Sequence, residues 1–255
     1  MMADLTGKRA LVTGGGTGIG AAIARDLANS GADVFIAGRR ADVLHRTADE
    51  IGLGRSNCLV LDVTSEASVA LSSDALARID ILVNNAGQAK SAPFRKSDLA
   101  LLDAMLDVNV RGTWRVTQAA LPAMAKRGWG RVINIASTAG LRGYPYVSAY
   151  VAAKHAVVGL TRALALEVAR HGVTVNAVCP GFTETPLLDA ALANISLTTG
   201  RDETAARAEL SRENPQGRLV RVEEVANAVL WLAGTNAGAI TGQSIAVCGG
   251  EVMTG

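Results

Sequence analysis

The chain has 255 residues, 49% of them hydrophobic and 19% charged, which is enough apolar material for one substantial core, with no low-complexity stretch to mark a linker. A net charge of +2 offers neither the basic excess of a nucleic-acid binder nor the polybasic run of a protein held at a membrane surface. Cys58, Cys179 and Cys248 lie far apart without metal-ligand spacing, no signal-peptide pattern opens the chain, and no apolar run spans a bilayer, so a metal-free cytoplasmic protein is expected.

The first apolar run, RALVTG, leads into TGGGTGIG (Thr13 to Gly20) and then into the amphipathic segment GAAIARDLANSG. Glycines at a strand-to-helix turn let the backbone bend tightly and let a pyrophosphate approach the unpaired N–H groups of the helix start. Gly14, Gly16, Thr17, Gly18, Ile19 and Gly20 are therefore candidate dinucleotide contacts. The second run, DVFIAG, ends on Gly38-Arg39-Arg40. A carboxylate here would take the ribose hydroxyls of NAD(H), whereas guanidinium suits a 2′-phosphate, so NADP(H) is preferred, with NAD(H) still possible. The third run, NCLVLD, closes on Asp62, placed with Val63 beside the adenine.

Four more runs follow: IDILVNNAG, RVINIAS, VTVNAVCPG and SIAVCGG. All are continuously apolar, as strands buried on both faces of a parallel sheet must be. Helix-length segments between them, several closing on glycine, imply a single-domain, doubly wound Rossmann-type sheet of about seven strands with helices on both faces over residues 1–255. Residues 185–218 interrupt the rhythm with a helical, partly charged insertion, a candidate substrate lid. In SAYVAAKHAVVGL, Tyr150 and Lys154 are four residues apart and share one helix face.

TGGGTGIG, NNAG (Asn84 to Gly87), Asn109, Ser137 and YVAAK (Tyr150 to Lys154), in this order, resemble the short-chain dehydrogenase/reductase family over essentially the whole chain. The resemblance implies an oxidoreductase that interconverts a ketone and a secondary alcohol. Tyr150 would be the general acid and Ser137 would orient the substrate oxygen. Lys154 would lower the tyrosine pKa and hold the nicotinamide ribose, and Asn109 would hold a water for proton resupply. By position, Asn85, Ala86, Gly87, Pro180, Gly181, Thr183 and Thr185 join the cofactor contacts, while Gln88, Tyr144, Tyr146, Leu187 and Leu188 line the substrate pocket and lid.

The segments KRGWGRVINIASTAG and ARHGVTVNAVCPGFTETP are similar to the 3-oxoacyl-thioester reductases, with coenzyme A or an acyl-carrier protein as the acyl carrier. Lys126, Arg127, Arg170 and His171 are the candidate docking cations. The 3-hydroxybutyrate dehydrogenases are also similar, but their carboxylate-binding positions fall on Ala89, Ala139 and Val147. Other secondary alcohols, cyclic and steroid ones included, form the alternative substrate class, and a non-catalytic dinucleotide-binding protein the remote one. The apolar segment Ser148 to Arg170, with small residues at Ala149, Ala153, Ala156 and Gly159, calls for a covering helix and points to a homo-oligomer. The family resemblance implies a tetramer, although a dimer would satisfy the same burial.

Overall fold

Every strand expected from the apolar runs is present in the computed structural model, which describes residues 4–200 and 202–253. In chain order the elements are β1 (Arg9–Thr13), α1 (Gly18–Asn29), β2 (Asp33–Gly38), α2 (Ala41–Ile51), β3 (Cys58–Val60), α3 (Glu66–Leu71), α4 (Ser73–Leu76), β4 (Ile81–Asn84), α5 (Leu99–Leu106), α6 (Gly112–Arg127), β5 (Gly130–Ile135), α7 (Ser148–Val168), β6 (Val173–Pro180), α8 (Pro186–Thr199), α9 (Glu203–Arg212), α10 (Val222–Ala233) and β7 (Ser244–Val247). The described strands form one parallel sheet in the order β3-β2-β1-β4-β5-β6-β7.

The continuity of the apolar runs has a direct cause. Successive side chains of a strand point to opposite faces, and both faces are covered. Ala10 and Val12 of β1 enter a core with Ile23 and Leu27 of α1 and Val225 and Val229 of α10. Leu11 between them enters the opposite core, with Val116, Ala120 and Met124 of α6 and Val168 of α7. The winding reverses at β1, which pairs with β2 on one side and β4 on the other. Ligands of such sheets bind in the crevice that opens there, at the carboxyl ends of the strands.

Glycine follows two of these helices in different conformations. Gly31, after α1, has φ of +89°, the left-handed conformation that ends a helix at low cost. Gly234, after α10, has φ of −70° and is extended, so that helix stops without a left-handed cap.

The insertion at 185–218 folds into α8 and α9, which share a small core of Leu188, Leu192, Ala206 and Leu219. Leu188, expected to line the substrate pocket, is therefore buried inside this unit, while its neighbour Leu187 is exposed. Ala149 and Ala153, expected to admit a helix of another subunit, pack instead against Met105 of α5 in the same chain. Ala156 and Gly159 remain open. No helix among the described residues is long and apolar enough to cross a membrane.

Candidate active site

The glycine turn is built by close approach. A Cβ on Gly20 would lie 2.3 Å from the Gly14 carbonyl oxygen, and one on Gly14 would lie 2.9 Å from Asn85 Nδ2. Neither position tolerates a side chain without moving backbone, and Gly14 also has φ of +64°. Asn85 Nδ2 donates to the carbonyls of Thr13 (3.0 Å) and Gly14 (3.1 Å), while Thr13 Oγ1 accepts from the N–H groups of Asn85 and Ala86 (both 3.0 Å). The β4 end thus clamps the turn. Asn84, one residue earlier, spends its amide on Thr117 and Asn134 in a buried network across the sheet.

Beside the turn lies a cleft of about 220 Å³, lined by Gly14, Gly16, Thr17, Arg39, Arg40, Asp62, Val63, Ala86, Gly87 and Gln88. Arg39 and Arg40 are exposed at its β2 end. Asp62, the only carboxylate among the described residues that line this cleft, accepts from the N–H (2.9 Å) and hydroxyl (2.7 Å) of Thr64, and the Thr64 N–H is the main cause holding it below the usual carboxylate range. Gly18 and Ile19 open α1. A Cβ on Gly18 would lie 3.2 Å from Thr185 Cγ2, so the start of α8 rests on the glycine turn. Thr185 caps α8 through Leu188 N–H (3.3 Å) and donates to the Thr183 carbonyl, and Thr183 Oγ1 donates to the carbonyl of Gly181, next to Pro180. Donor set, shape and positive end suit a dinucleotide phosphate chain.

The second half of the site converges on α7. Lys154 is 5% exposed, and its Nζ donates to the Ile135 carbonyl at 2.8 Å. Burial pulls its pKa from 10.5 down to about 8. The ammonium stands 5.6 Å from the centroid of the Tyr150 ring. Tyr150 departs from expectation: burial pushes its phenol up from 10.0 to about 12, and the hydrogen bond from Ser137 is what opposes the rise. The expected lowering by Lys154 is not found. Loss of solvation outweighs an ammonium committed to a backbone carbonyl and set to one side of the ring.

Ser137 ends the segment after β5, and its hydroxyl also accepts from Ala139 N–H at 3.1 Å, so it is turn cap and site residue together. Asn109 lies in a single π-helical turn, Asp107–Arg111, between α5 and α6. Its Nδ2 donates to the carbonyls of Gln88 (3.0 Å) and Met105 (2.9 Å), which leaves Oδ1 buried with no hydrogen-bond partner among the described residues. A Cβ on Gly87 would lie 2.8 Å from that Oδ1 and 3.6 Å from Lys154 Nζ, so Gly87 keeps the space between them open. A lone buried acceptor beside a buried ammonium is where a bound water would be stabilised.

On the substrate side, Gln88 points its amide at the Ala104 carbonyl (2.9 Å). Tyr146 is exposed and has φ of +67°, a strained conformation for a non-glycine residue, held by the Ala92 N–H donating to its carbonyl (2.7 Å). Tyr144 hydrogen-bonds Thr138 Oγ1 (2.8 Å) and donates to Glu251. Glu251, Thr138 and Arg142 were not anticipated, because nothing in their local sequence marks them. The docking cations move the other way. Arg127 ends α6, before β5, and its guanidinium serves the carbonyls of Ala77 and Ile79 and the Asp80 carboxylate. Lys126 precedes it, and Arg170 and His171 lie in the turn before β6, so all four occupy the amino edge of the sheet, opposite the cleft.

A family model described as short chain dehydrogenase matches residues 8–195. The chain belongs to the short-chain dehydrogenase/reductase family. It is an oxidoreductase of that family and is similar to curated members along nearly its whole length. It is 40% identical to a D-beta-hydroxybutyrate dehydrogenase of Rhizobium meliloti strain 1021, covering 95% of this chain and 98% of that one. It is 42% identical to a Streptomyces coelicolor protein named as a ketoacyl reductase, covering 98% of each. Among solved structures, a variant actinorhodin polyketide ketoreductase with NADPH superposes with a TM-score of 0.88 at 38% identity, over 98% of this chain and 99% of that one.

Proposed function

We propose that this chain is a single-domain NADP(H)-dependent reductase that converts the ketone of a 3-oxoacyl thioester into the secondary alcohol. The observation that carries the reading is the meeting of Ser137, Tyr150 and Lys154 next to Gly87, which lines the same cleft as Arg39 and Arg40. Within it, the glycine turn and the start of α1 bind the phosphate chain, Arg39 and Arg40 bind the 2′-phosphate, and Asp62 and Val63 flank the adenine. Asn85, Ala86, Gly87, Pro180, Gly181, Thr183 and Thr185 surround the nicotinamide half, and NAD(H) serves less well. Bound NADPH supplies the hydride.

This chain's own residues supply the proton and the orientation. Ser137 donates to the ketone oxygen and fixes it beside Tyr150. As the hydride reaches the carbonyl carbon and its π electrons move onto oxygen, the Tyr150 hydroxyl donates its proton to that oxygen, giving the alcohol and a phenolate. Lys154, held by Ile135, stabilises the phenolate and returns a proton to it, and the amine so formed is reprotonated from solvent through a water on Asn109 Oδ1. A phenol raised to about 12 is fully protonated at neutral pH.

The thioester rests on the ketoacyl reductase relative and on the apolar residues at Ala89, Ala139 and Val147, which offer nothing to a small anionic substrate. With Lys126 and Arg127 on the opposite edge, coenzyme A is favoured over a carrier protein docked through them. The 40% identity to a D-beta-hydroxybutyrate dehydrogenase favours a second reading, oxidation of a free 3-hydroxy acid. The lid of α8 and α9, a cytoplasmic location and a homotetramer complete the proposal. The tetramer is supported by exposed Leu99, Trp114, Leu166 and Trp231. Initial rates with acetoacetyl-coenzyme A and NADPH, set against 3-hydroxybutyrate and either oxidised cofactor, test it. Turnover of the hydroxy acid alone would replace the thioester reading by the second.

A further inference from the structure

β7 runs parallel to β6, with Val247 opposite Pro180, so the chain beyond β7 emerges at the carboxyl edge directly over the site. It delivers Glu251 there. One carboxylate oxygen, Oε2, lies 2.9 Å from where a Cβ on Gly181 would stand, and the other accepts from the Tyr144 hydroxyl. Tyr144 in turn hydrogen-bonds Thr138, the residue after Ser137. The carboxylate is thus two side chains from the segment that orients the substrate oxygen.

Its charge is only partly offset, by the Coulombic pull of Arg142. Arg142 stacks 4.5 Å from the Tyr144 ring centroid, but its guanidinium is committed to Glu213 at 2.9 Å. Among the described residues Glu251 has no ion-pair partner. The three ionised groups leave one net negative charge on this wall. Half-burial of the carboxyl raises its pKa, which the Tyr144 hydroxyl and, less, Arg142 oppose, while the Glu213 carboxylate adds to the rise. A charge kept at such a cost in solvation, beside a cation already paired with Glu213, is more than a hydrogen-bond acceptor for Tyr144, because an amide would accept equally well.

We propose that Glu251 determines specificity by charge, admitting acyl groups that are neutral next to the reacting ketone and rejecting those that carry a carboxylate there. This rests on the substrate reading above for which side of the site the acyl group occupies. It accounts for how this chain would separate a 3-oxoacyl thioester, whose anionic groups are remote, from the free 3-oxo acid. The mechanism is Coulombic: two like charges at the reach of a short acyl group repel strongly where solvent is sparse.

The test reads affinity without chemistry. NADP+ cannot reduce a ketone, so the protein saturated with NADP+ is titrated calorimetrically with acetoacetate and with methyl acetoacetate. Glu251→Gln, which keeps the acceptor and shape but not the charge, is expected to tighten acetoacetate about tenfold and to leave the ester within about twofold. Glu251→Ala is expected to tighten acetoacetate as well. Tyr144→Phe keeps the carboxylate and is expected to keep the preference for the ester. Acetoacetate binding that Glu251→Gln does not tighten, undetected binding to both proteins included, overturns the proposal. Parallel rates with acetoacetyl-coenzyme A and NADPH keep the two readings apart: a wild type that does not reduce the thioester sinks the substrate reading, while the affinity ratio still judges Glu251.

Discussion

Lys154 is the residue whose fitness for chemistry and cost to the fold can be separated by one substitution, Lys154→Met. The side chain is 5% exposed and its pKa falls from 10.5 to about 8. That depression corresponds to about 3 kcal/mol of lost stability wherever the group must be charged in the folded state. The sign follows from proton uptake. Below pH 8 both states carry the proton and the folded protein bears the full cost; between about 8 and 10.5 the unfolded state binds more protons, so wild-type stability rises with pH. Methionine fills a similar volume without charge, but it strands the Ile135 carbonyl that Lys154 Nζ serves at 2.8 Å, at a cost of about 1 kcal/mol. The variant should therefore be about 2 kcal/mol more stable at pH 7, a rise in Tm of about 5 °C, while reduction falls by about 10²-fold or more. Thermal melts at pH 7 and pH 10.5 check both statements, because the gain should vanish at the higher pH. A variant less stable than wild type at pH 7, or a gain independent of pH, would refute the reasoning.

Gly87→Ala puts a methyl group between Asn109 Oδ1 and Lys154 Nζ, and should lower kcat about tenfold or more, read by steady-state rates at saturating NADPH. The rate of ketone reduction should fall as pH rises through about 8, because Lys154 then loses the charge that stabilises the phenolate, while Tyr150 stays protonated up to about 12; a pH–rate profile at saturating NADPH shows it. Arg39→Ala should raise the KM for NADPH by about 10- to 100-fold, the loss of a charge-assisted phosphate contact, and leave that for NADH nearly unchanged. Gly20→Ala drives a methyl into the Gly14 carbonyl and should abolish binding of both cofactors, measured by fluorescence titration.

Much of this was legible because a few residue types have no substitute. The seven strands announced themselves as apolar runs, since burial on both faces leaves no polar alternation to blur them. Gly14 and Gly20 stand where backbone meets backbone, and Tyr150 and Lys154 share a face by helical pitch alone. The sequence was silent where the third dimension decides. Glu251 follows β7 in a tail without pattern, and only the β6–β7 pairing brings it over Gly181. Leu188 and Leu187 are adjacent and alike, yet the contact of α8 with α9 buries one and exposes the other. The pKa direction of Tyr150 depended on how far its solvation is lost, which spacing does not report. The docking cations are a different lesson: Arg127 precedes a parallel strand, so its place at the edge away from the cleft followed from strand polarity.

The central claim is that Tyr150 delivers the proton while the cleft beside it holds NADPH. Single-turnover oxidation of bound NADPH by acetoacetyl-coenzyme A, followed at 340 nm in wild type and in Tyr150→Phe, tests it most directly when the NADPH affinity of each is measured alongside. Unchanged affinity with a rate lowered by about 10²- to 10⁴-fold is the predicted result. A phenylalanine variant that oxidises NADPH at the wild-type rate would contradict the account.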